Sequence, residues 1–220
     1  MRAAVIIDYQ NVHLTAWEVF NRAGERHESL IHPRYFADIS IQTRNQRQRE
    51  GYPHAILDRV VAFRGLPHVD YDWEQNRRCL DQAQQWRNDG AEVELRDLKY
   101  KHVLGADGRP ILNIHGKKEA KGRGKEKGID VLCALTCVRE ALRPDIDVVM
   151  LASRDTDLVP TLDTIVDMHH DHPGIARIET LSWFNKTHPT KAITRAGSLH
   201  PAADDASGTP TLTVAPTKRH

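Results

Sequence analysis

The sequence predicts an α/β fold, a three-layer sandwich in which helices cover both faces of a central, mainly parallel sheet of about five strands. Short apolar runs alternate along the chain with segments whose apolar residues recur at helical spacing, and this alternation is typical of such sheets. The first run, residues 3–7, is apolar throughout, as expected for a strand buried on both sides. The 220 residues, 40% of them hydrophobic, are enough for one such core.

Each of the first three predicted strands has a local signal. Residues 3–7 stop at Asp8, and residues 55–63 lie between Pro53 and a Gly-Leu-Pro sequence. Residues 91–98 alternate apolar and polar side chains, which also predicts a strand. The segments between them are expected to be helical over about 12–20 and 72–88, and to be loop with some helix over the polar stretch 21–54.

The fourth and fifth strands are predicted in the second half of the chain. Apolar runs at residues 147–152 and 176–183 indicate these strands. A helix is expected between them over residues 157–168. Another is expected before them over residues 128–143, where apolar residues recur at helical spacing until Pro144.

Two segments are predicted to lie outside this alternation. Residues 99–128 are rich in Lys, Arg and Gly and are called the basic loop below; within them, residues 106–109 predict a hairpin turn. Residues 200–220 are rich in Ala, Asp, Thr and Pro and predict a disordered tail, so that residues 1–199 form one domain. No internal repeat stands out.

Composition and short motifs exclude several classes of protein, but they do not indicate a binding partner. The 31 basic and 30 acidic residues nearly cancel, so net charge indicates no partner. We find no signal peptide and no apolar run near the ~20 residues of a membrane span, and three cysteines make no disulfide framework; together these predict a cytoplasmic protein. Neither a Walker A sequence nor Gly-x-Gly-x-x-Gly after the first strand is present, so no organic cofactor is expected.

Acidic residues follow two of the predicted strands and begin one helix. Asp8 follows the first strand, Asp155 and Asp157 follow the fourth, and Asp130 lies at the start of a helix after the basic loop. Ligand sites in parallel sheets lie at the carboxyl ends of the strands, so these side chains are expected to meet there. Clustered carboxylates repel unless protonated, paired with bases or bound to a cation, and Mg²⁺ or Mn²⁺ is the cation that such ligands suit.

Each of these acids also has an ordinary structural role available to it. Asp155 or Asp157 alone suits a helix N-cap, and Asp130 in a first helical turn complements the helix dipole. Asp8 could begin a turn. The hypothesis of a metal site therefore depends on the four acids occurring together, since a metal held this way beside a phosphodiester can activate water and stabilise the leaving oxygen.

Three segments resemble those of a known family. VIIDYQN is similar to the opening of the NYN domain, a branch of the PIN-like nucleases, in which a strand ends in Asp followed closely by Asn. KEKGIDVLCAL resembles the family's Lys-Gly-Val-Asp segment, and LASRDTDLVPTL resembles its Ser-x-Asp-x-Asp segment. The segments occur in the family's order and extend from residue 3 to about residue 183, and LRDLKYK before the basic loop is also similar.

The resemblance implies a PIN-like sandwich and a metal-dependent ribonuclease. Members of the family are hydrolases that act mostly as endonucleases on single-stranded RNA or on loops. It implies Mg²⁺ or Mn²⁺ as the cofactor and RNA as the partner, whereas self-association into a homo-oligomer stays open. The matching positions are the catalytic and metal-binding acids Asp8, Asp130, Asp155 and Asp157, and the supporting residues Asn11 and Ser153.

Two positions depart from the family's pattern. Thr136 stands where the family often has a second Asp, and Arg154 stands where it commonly has Gly after the Ser. Loss of one acid would weaken metal binding or remove a second metal. Arg154 would crowd the site or contact phosphate.

The basic loop is the predicted RNA contact. It lies directly before Asp130, and its cations and glycines suit a flexible arm that attracts a phosphate backbone. A solvated charge run is the ordinary alternative, and Tyr100, His102 and Arg109 are further candidates for the contact. The residues predicted to bind RNA are Lys117, Lys118, Lys121, Arg123, Lys125 and Lys127, together with Arg154.

Three functions remain open at this point. The first is a metal-dependent ribonuclease. The second is a non-catalytic RNA-binding or adaptor protein that retains the fold, and it is suggested by Thr136, which stands in place of an acid. A phosphatase of another α/β family is weaker, because Gln10 stands where an Asp-x-Asp pair after the first strand would need its second acid.

Overall fold

The computed structural model describes residues 1–185 and 211–216, and it confirms the three-layer α/β sandwich. Six strands form one sheet in the order β3-β2-β1-β4-β5-β6; the first five are parallel and β6 pairs antiparallel with β5. The strands are β1 (Arg2–Asp8), β2 (Ile56–Leu66), β3 (Glu92–Asp97), β4 (Val148–Ala152), β5 (Arg177–Phe184) and β6 (Thr211–Pro216). The helices are α1 (Tyr9–Phe20), α2 (Pro33–Gln46), α3 (Trp73–Asn88), α4 (Ile129–Ala141) and α5 (Val159–Asp171).

Alternate residues of the central strands form the two halves of the core. Val5 and Ile7 of β1 lie in the cluster that contains buried residues of α1, α2 and α3, whereas Ala4 and Ile6 lie in the cluster of α4 and α5. Side chains alternate between the faces of a strand, so a strand covered on both sides must be apolar at every position. This requirement explains why β1 is a continuous apolar run.

The order of the strands creates a crevice between β1 and β4. The chain leaves β1 into α1 on one face of the sheet and leaves β4 toward α5 on the other face. Neighbouring parallel strands whose helices diverge in this way leave an opening outside their carboxyl ends, where ligands bind in open α/β sheets. Asp8 ends β1 and Ser153 directly follows β4, so both residues lie at this opening.

The boundaries of the elements differ from the sequence predictions mainly at the N-termini of helices. Helix α1 begins at Tyr9 rather than near residue 12, because Asp8 caps it directly after the strand. A short 3₁₀ helix, Thr156–Leu158, precedes α5, which therefore begins at Val159. The stretch 21–54 contains helix α2, whose buried Phe36, Ala37 and Ile41 pack on the sheet.

The basic loop is a hydrogen-bonded structure rather than a flexible arm. Lys99 and Lys125 pair through both of their backbone hydrogen bonds, N–H to O at 2.8 and 2.9 Å. Between them the predicted turn is present, since the N–H of Gly108 donates to the carbonyl of Gly105 at 3.0 Å. Three further antiparallel bridges lie within the segment: His102 with Ala120, Leu104 with Pro110, and Leu112 with Lys118.

These bridges reveal a short internal repeat, although none stands out in the sequence. Residues 101–124, called the cap below, are three units of eight residues, KHVLGADG, RPILNIHG and KKEAKGRG. Each begins with Lys or Arg and ends with Gly, and the three bridges are equivalent when the units are rotated one onto the next. The backbones close a ring: the N–H of Ile111 donates to the carbonyl of Val103, that of Glu119 to Ile111, and that of Val103 to Glu119, at 2.9, 2.9 and 3.0 Å.

Most of the predicted disordered tail lies outside the described residues, namely 200–210 and 217–220. Residues 211–216 differ from that prediction, because they form β6 at the edge of the sheet. Within the described part of the chain, no helix combines the length and the apolar character needed to cross a membrane.

Candidate active site

Asp8 is the central side chain of the site. It is 7% exposed, and one carboxylate oxygen, Oδ1, accepts the backbone N–H of Asn11 at 3.2 Å, which caps α1. The other oxygen, Oδ2, accepts the Ser153 hydroxyl at 3.1 Å. Asp8 therefore joins the end of β1 to the residue that follows β4.

The turn after β4 is held by two polar side chains, one from the first turn of α1 and one that directly follows β4. The Ser153 oxygen Oγ accepts the backbone N–H of Asp155 at 3.1 Å, and the Asn11 side-chain oxygen accepts that of Arg154 at 2.9 Å. Asp155 caps the 3₁₀ helix, because its Oδ1 accepts the N–H of Asp157 at 3.0 Å. The structure thus brings Asn11 and Ser153 to the positions where the sequence analysis expects supporting residues.

The electrostatics show which acids lie near Asp8. Burial is the main cause that raises the pKa of Asp8 from 3.8 to about 6, and the charges of Asp155 and Asp130 raise it further. The hydrogen bonds from Asn11 and Ser153 lower it and only partly offset this effect. Asp130 lies in the first turn of α4 and is half-buried, whereas the side chain of Asp157 is exposed.

Glu126, a residue of the basic loop that the sequence analysis does not single out, is a further acid beside Asp8. Its Oε1 accepts the N–H of Gly65 at 2.6 Å. The amide of Gln10, with its nitrogen turned toward Glu126, donates to both carboxylate oxygens at 2.9 Å. Burial, and then the charge of Asp8, raise the pKa of Glu126 to about 7, while the Gly65 N–H and the charge of Arg64 lower it.

Strand length and a glycine explain how Glu126 reaches this position. β1 ends at Asp8, opposite Phe63, while β2 continues to Leu66, so the N–H of Gly65 has no β1 partner and is available to Glu126. A Cβ atom on residue 65 would lie 2.7 Å from Cγ of Glu126. Glycine at this position therefore permits the close approach.

Arg64 places a cation beside the same edge of the sheet, and no motif in the sequence indicates it. Its guanidinium carbon lies 4.9 Å from the ring centre of Tyr9 and 5.1 Å from that of Trp86, and Nη1 donates to the Gln82 side chain at 2.7 Å. Two rings and an amide fix the head group, and its charge acts on Glu126.

The residues predicted to bind RNA are exposed, with Arg154 half-buried. Lys117 forms an ion pair with Asp70, and Lys125 contributes backbone bonds to the base of the cap. Arg154 lies 3.8 Å from the Glu18 carboxylate, Nη1 to Oε2, and so extends along α1. The remaining predicted contacts, Lys118, Lys121, Arg123 and Lys127, lie on the surface of the basic loop.

The carboxylates suit a hard divalent cation in their chemistry. A cation beside Asp8 would offset the repulsion from Asp130 and Asp155 that contributes to its raised pKa. Within residues 1–185 and 211–216, no group of three or more His, Cys, Asp or Glu side chains is arranged to hold a metal ion. Mg²⁺ commonly binds through one or two carboxylates with waters completing the shell, so a cation at this edge would not require three protein ligands.

Comparison with known proteins finds no matching family model and no matching curated protein. A search of solved structures finds similarity to a crystal structure of a protein of unknown function from Vibrio parahaemolyticus, with 19% sequence identity and a TM-score of 0.40. The match covers 80% of this chain and 78% of that chain. The strand order and the positions of the acids, by themselves, define the class as an α/β sandwich with carboxylates at its β1–β4 crevice.

Proposed function

We propose that the chain is a divalent-metal-dependent ribonuclease of the NYN type that cuts RNA as an endonuclease. The observation that carries the proposal is the position of Asp8, which lies at the carboxyl end of β1 under the charges of Asp130 and Asp155. Buried carboxylates that repel one another at a ligand crevice are costly, and a cation site is a physical reason to retain them. The ordered resemblance of three segments to the NYN family supports the same conclusion.

In this proposal the chain's own residues hold the acids and the RNA. Asn11 and Ser153 fix the carboxylate of Asp8 and the turn after β4, so the acids are oriented before substrate binds. Mg²⁺ or Mn²⁺ would be held by Asp8 with Asp130 or Asp155, with waters completing the shell, and would supply activation of water and stabilisation of the leaving oxygen. The cations of the basic loop attract the phosphate backbone, and a cytoplasmic location without any organic cofactor suits this activity.

Cleavage of a mixed RNA pool tests the proposal. The wild-type chain and Asp130→Asn are incubated with Mn²⁺, with Mg²⁺ and with EDTA, and Asp81→Asn, an exposed acid on α3, serves as the matched control. We expect metal-dependent cleavage by the wild type and the control, and a loss of at least about 100-fold in Asp130→Asn. Equal cleavage by all three chains, or cleavage that persists in EDTA, would contradict the proposal.

A second candidate, a non-catalytic RNA-binding protein, is favoured by one observation. Thr136 is a buried, uncharged residue of α4 at the position where the NYN family often has an acid. RNA that is retained on a filter but not cleaved with either metal would select this candidate.

An Asp157→Asn variant adds a further comparison to the cleavage test. The Asp157 side chain is exposed, so its replacement is expected to reduce cleavage less than replacement of Asp130.

A further inference from the structure

The cap is a folded segment that contacts the rest of the protein at several points. Within the cap, Nε2 of His102 lies 3.1 Å from the hydroxyl of Tyr71, and the hydroxyl of Tyr100, the residue directly before the cap, accepts the backbone N–H of His68 at 3.2 Å. Tyr71 and Tyr100 also pack together, with ring centres 4.5 Å apart. With the ring of backbone bonds within the cap, these contacts fix the path of its backbone before any ligand binds.

A groove opens where the first unit of the cap meets the other two. Its volume is about 540 Å³, within the range of about 300–1,000 Å³ typical of small-ligand sites. Its lining combines apolar side chains and an imidazole with two lysines, and neither lysine forms an ion pair with another residue in the described part of the chain. The lining residues are Lys101, His102, Val103, Leu104, Pro110 and Lys121.

Charge identifies the kind of occupant. Residues 99–127 contain nine Lys or Arg residues and three acidic ones, and the carboxylate of Glu126 is turned toward Gly65 and away from the cap. A surface of this balance attracts polyanions. Its groove combines cations with apolar atoms, and Leu104 is 59% exposed although it lines the groove. An anion with a flat, weakly polar part meets both features, and a nucleotide within an RNA strand is such an anion.

We propose that this groove binds one unpaired nucleotide of an RNA strand, with Lys101 and Lys121 contacting phosphate groups and the base packing against Leu104 and Pro110. The inference rests on the proposed function in so far as RNA is the ligand. It adds a subsite that is separate from the acids at the crevice and belongs to the repeat of the cap.

Binding in EDTA tests the groove independently of cleavage. Fluorescence anisotropy follows a short labelled oligoribonucleotide with the full chain, the double variant Lys101→Ala/Lys121→Ala, and the control Arg49→Ala/Arg177→Ala, which removes the same charge from exposed positions away from the cap. We expect about tenfold weaker binding in the double variant, and a slope of log K against log salt that is smaller by about 1.4. The control is expected to bind as the wild type does.

A second comparison isolates the base. An oligonucleotide of the same length with abasic sites is expected to bind several-fold more weakly to the wild type, and Leu104→Ala is expected to remove most of that difference. Thermal unfolding of each variant checks that the cap remains folded, and Leu104 suits this test because its side chain is largely exposed.

Three results would overturn the inference. The first is equal binding of the normal and abasic strands, which would indicate a general electrostatic surface. The second is a double variant that binds as tightly as the control. The third is occupation of the groove by protein. Displacement of RNA by an acidic peptide of equal charge would assign the groove to a protein partner, and a dimer that Leu104→Ala dissociates would assign it to a second copy of the chain. Absence of nuclease activity would leave all of these measurements valid, so the two proposals fail separately.

Discussion

Replacing Asp8 by Asn is expected to stabilise the protein at neutral pH while removing an acid of the site. Burial and neighbouring charges raise the pKa of Asp8 from 3.8 to about 6, which corresponds to about 3 kcal/mol at 1.36 kcal/mol for each pKa unit. Asn keeps the shape and the hydrogen bonds: its oxygen can accept the N–H of Asn11, and its amide can donate to the Ser153 hydroxyl oxygen. The variant therefore removes mainly the cost of the buried charge.

The direction of the pH dependence follows from the raised pKa. At about pH 3, below both pKa values, Asp8 is neutral in the folded and the unfolded state, so its titration costs the fold nothing. Between the unfolded pKa of 3.8 and the folded pKa of about 6, the unfolded state has released the proton while the folded state keeps it, so the wild type progressively loses up to about 3 kcal/mol, and the loss is complete above the folded pKa. The Asn variant lacks this loss, so its advantage should grow from near zero at about pH 3 to about 3 kcal/mol at about pH 8.

Urea unfolding at a series of pH values measures the difference in the free energy of unfolding. Asp81→Asn is the matched control, because this exposed acid of α3 is expected to change stability by less than about 0.5 kcal/mol at any pH. An Asp8→Asn advantage that is the same at both ends of the pH range, or a variant less stable than the wild type at about pH 8, would refute the reasoning from burial.

Three further outcomes are expected. Gly65→Ala should displace Leu98 and Glu126, both of which lie within 3 Å of the added Cβ, and lower the free energy of unfolding by about 1–3 kcal/mol, measured by urea unfolding, with a parallel loss of RNA cleavage. Arg64→Leu should lower it by about 1–2 kcal/mol through loss of the contacts with Tyr9 and Trp86, and Arg64→Lys should recover only part of this, measured in the same way. Mn²⁺ in excess should raise the thermal midpoint of the wild type but not of Asp8→Asn, as measured by differential scanning fluorimetry.

The order and type of the main elements could be predicted because one physical rule governs them. Parallel strands covered on both faces must be apolar throughout, and β1 and β4 satisfy this in a form visible in the sequence. The same rule locates their carboxyl ends, so the proximity of Asp8 to the Ser153–Asp155 turn could be expected before the structure was known. The role of these residues in RNA cleavage stays a prediction.

Helix α2 was harder to predict because its buried residues are few and are separated by polar ones. Phe36, Ala37 and Ile41 pack into the core, but the helix also buries Ser40 and Arg44, which weaken the apolar pattern. Arg44 is buried because its guanidinium makes two hydrogen bonds to the Glu179 carboxylate on β5, both at 2.7 Å. A partner 135 positions away in the chain leaves no local signal.

The repeat of the cap is difficult to recognise in the sequence for a different reason. Its units share a leading cation, two mainly apolar positions and a final Gly, and these few positions carry little information when side chains vary at the others. The symmetry resides in the backbone: the third residues of the units form the ring of hydrogen bonds, and Gly108 and Gly116 adopt φ of +76° and +71° at equivalent turns. Hydrogen bonds between main chains require little of the side chains, so such a repeat is weakly recorded in the sequence.

The path of the chain out of the cap connects the two proposed sites directly. Lys125 closes the base of the cap, and the next residue, Glu126, bonds to Gly65 beside Asp8. Four residues further on, Asp130 lies in the first turn of α4. A shift of the cap on binding RNA would therefore act on Glu126 and Asp130 through a few covalent links. Gly65→Ala, which displaces Glu126, should consequently weaken the effect of RNA on Mn²⁺ affinity as well as cleavage itself, and titration of Mn²⁺ with and without an uncleavable RNA measures that difference.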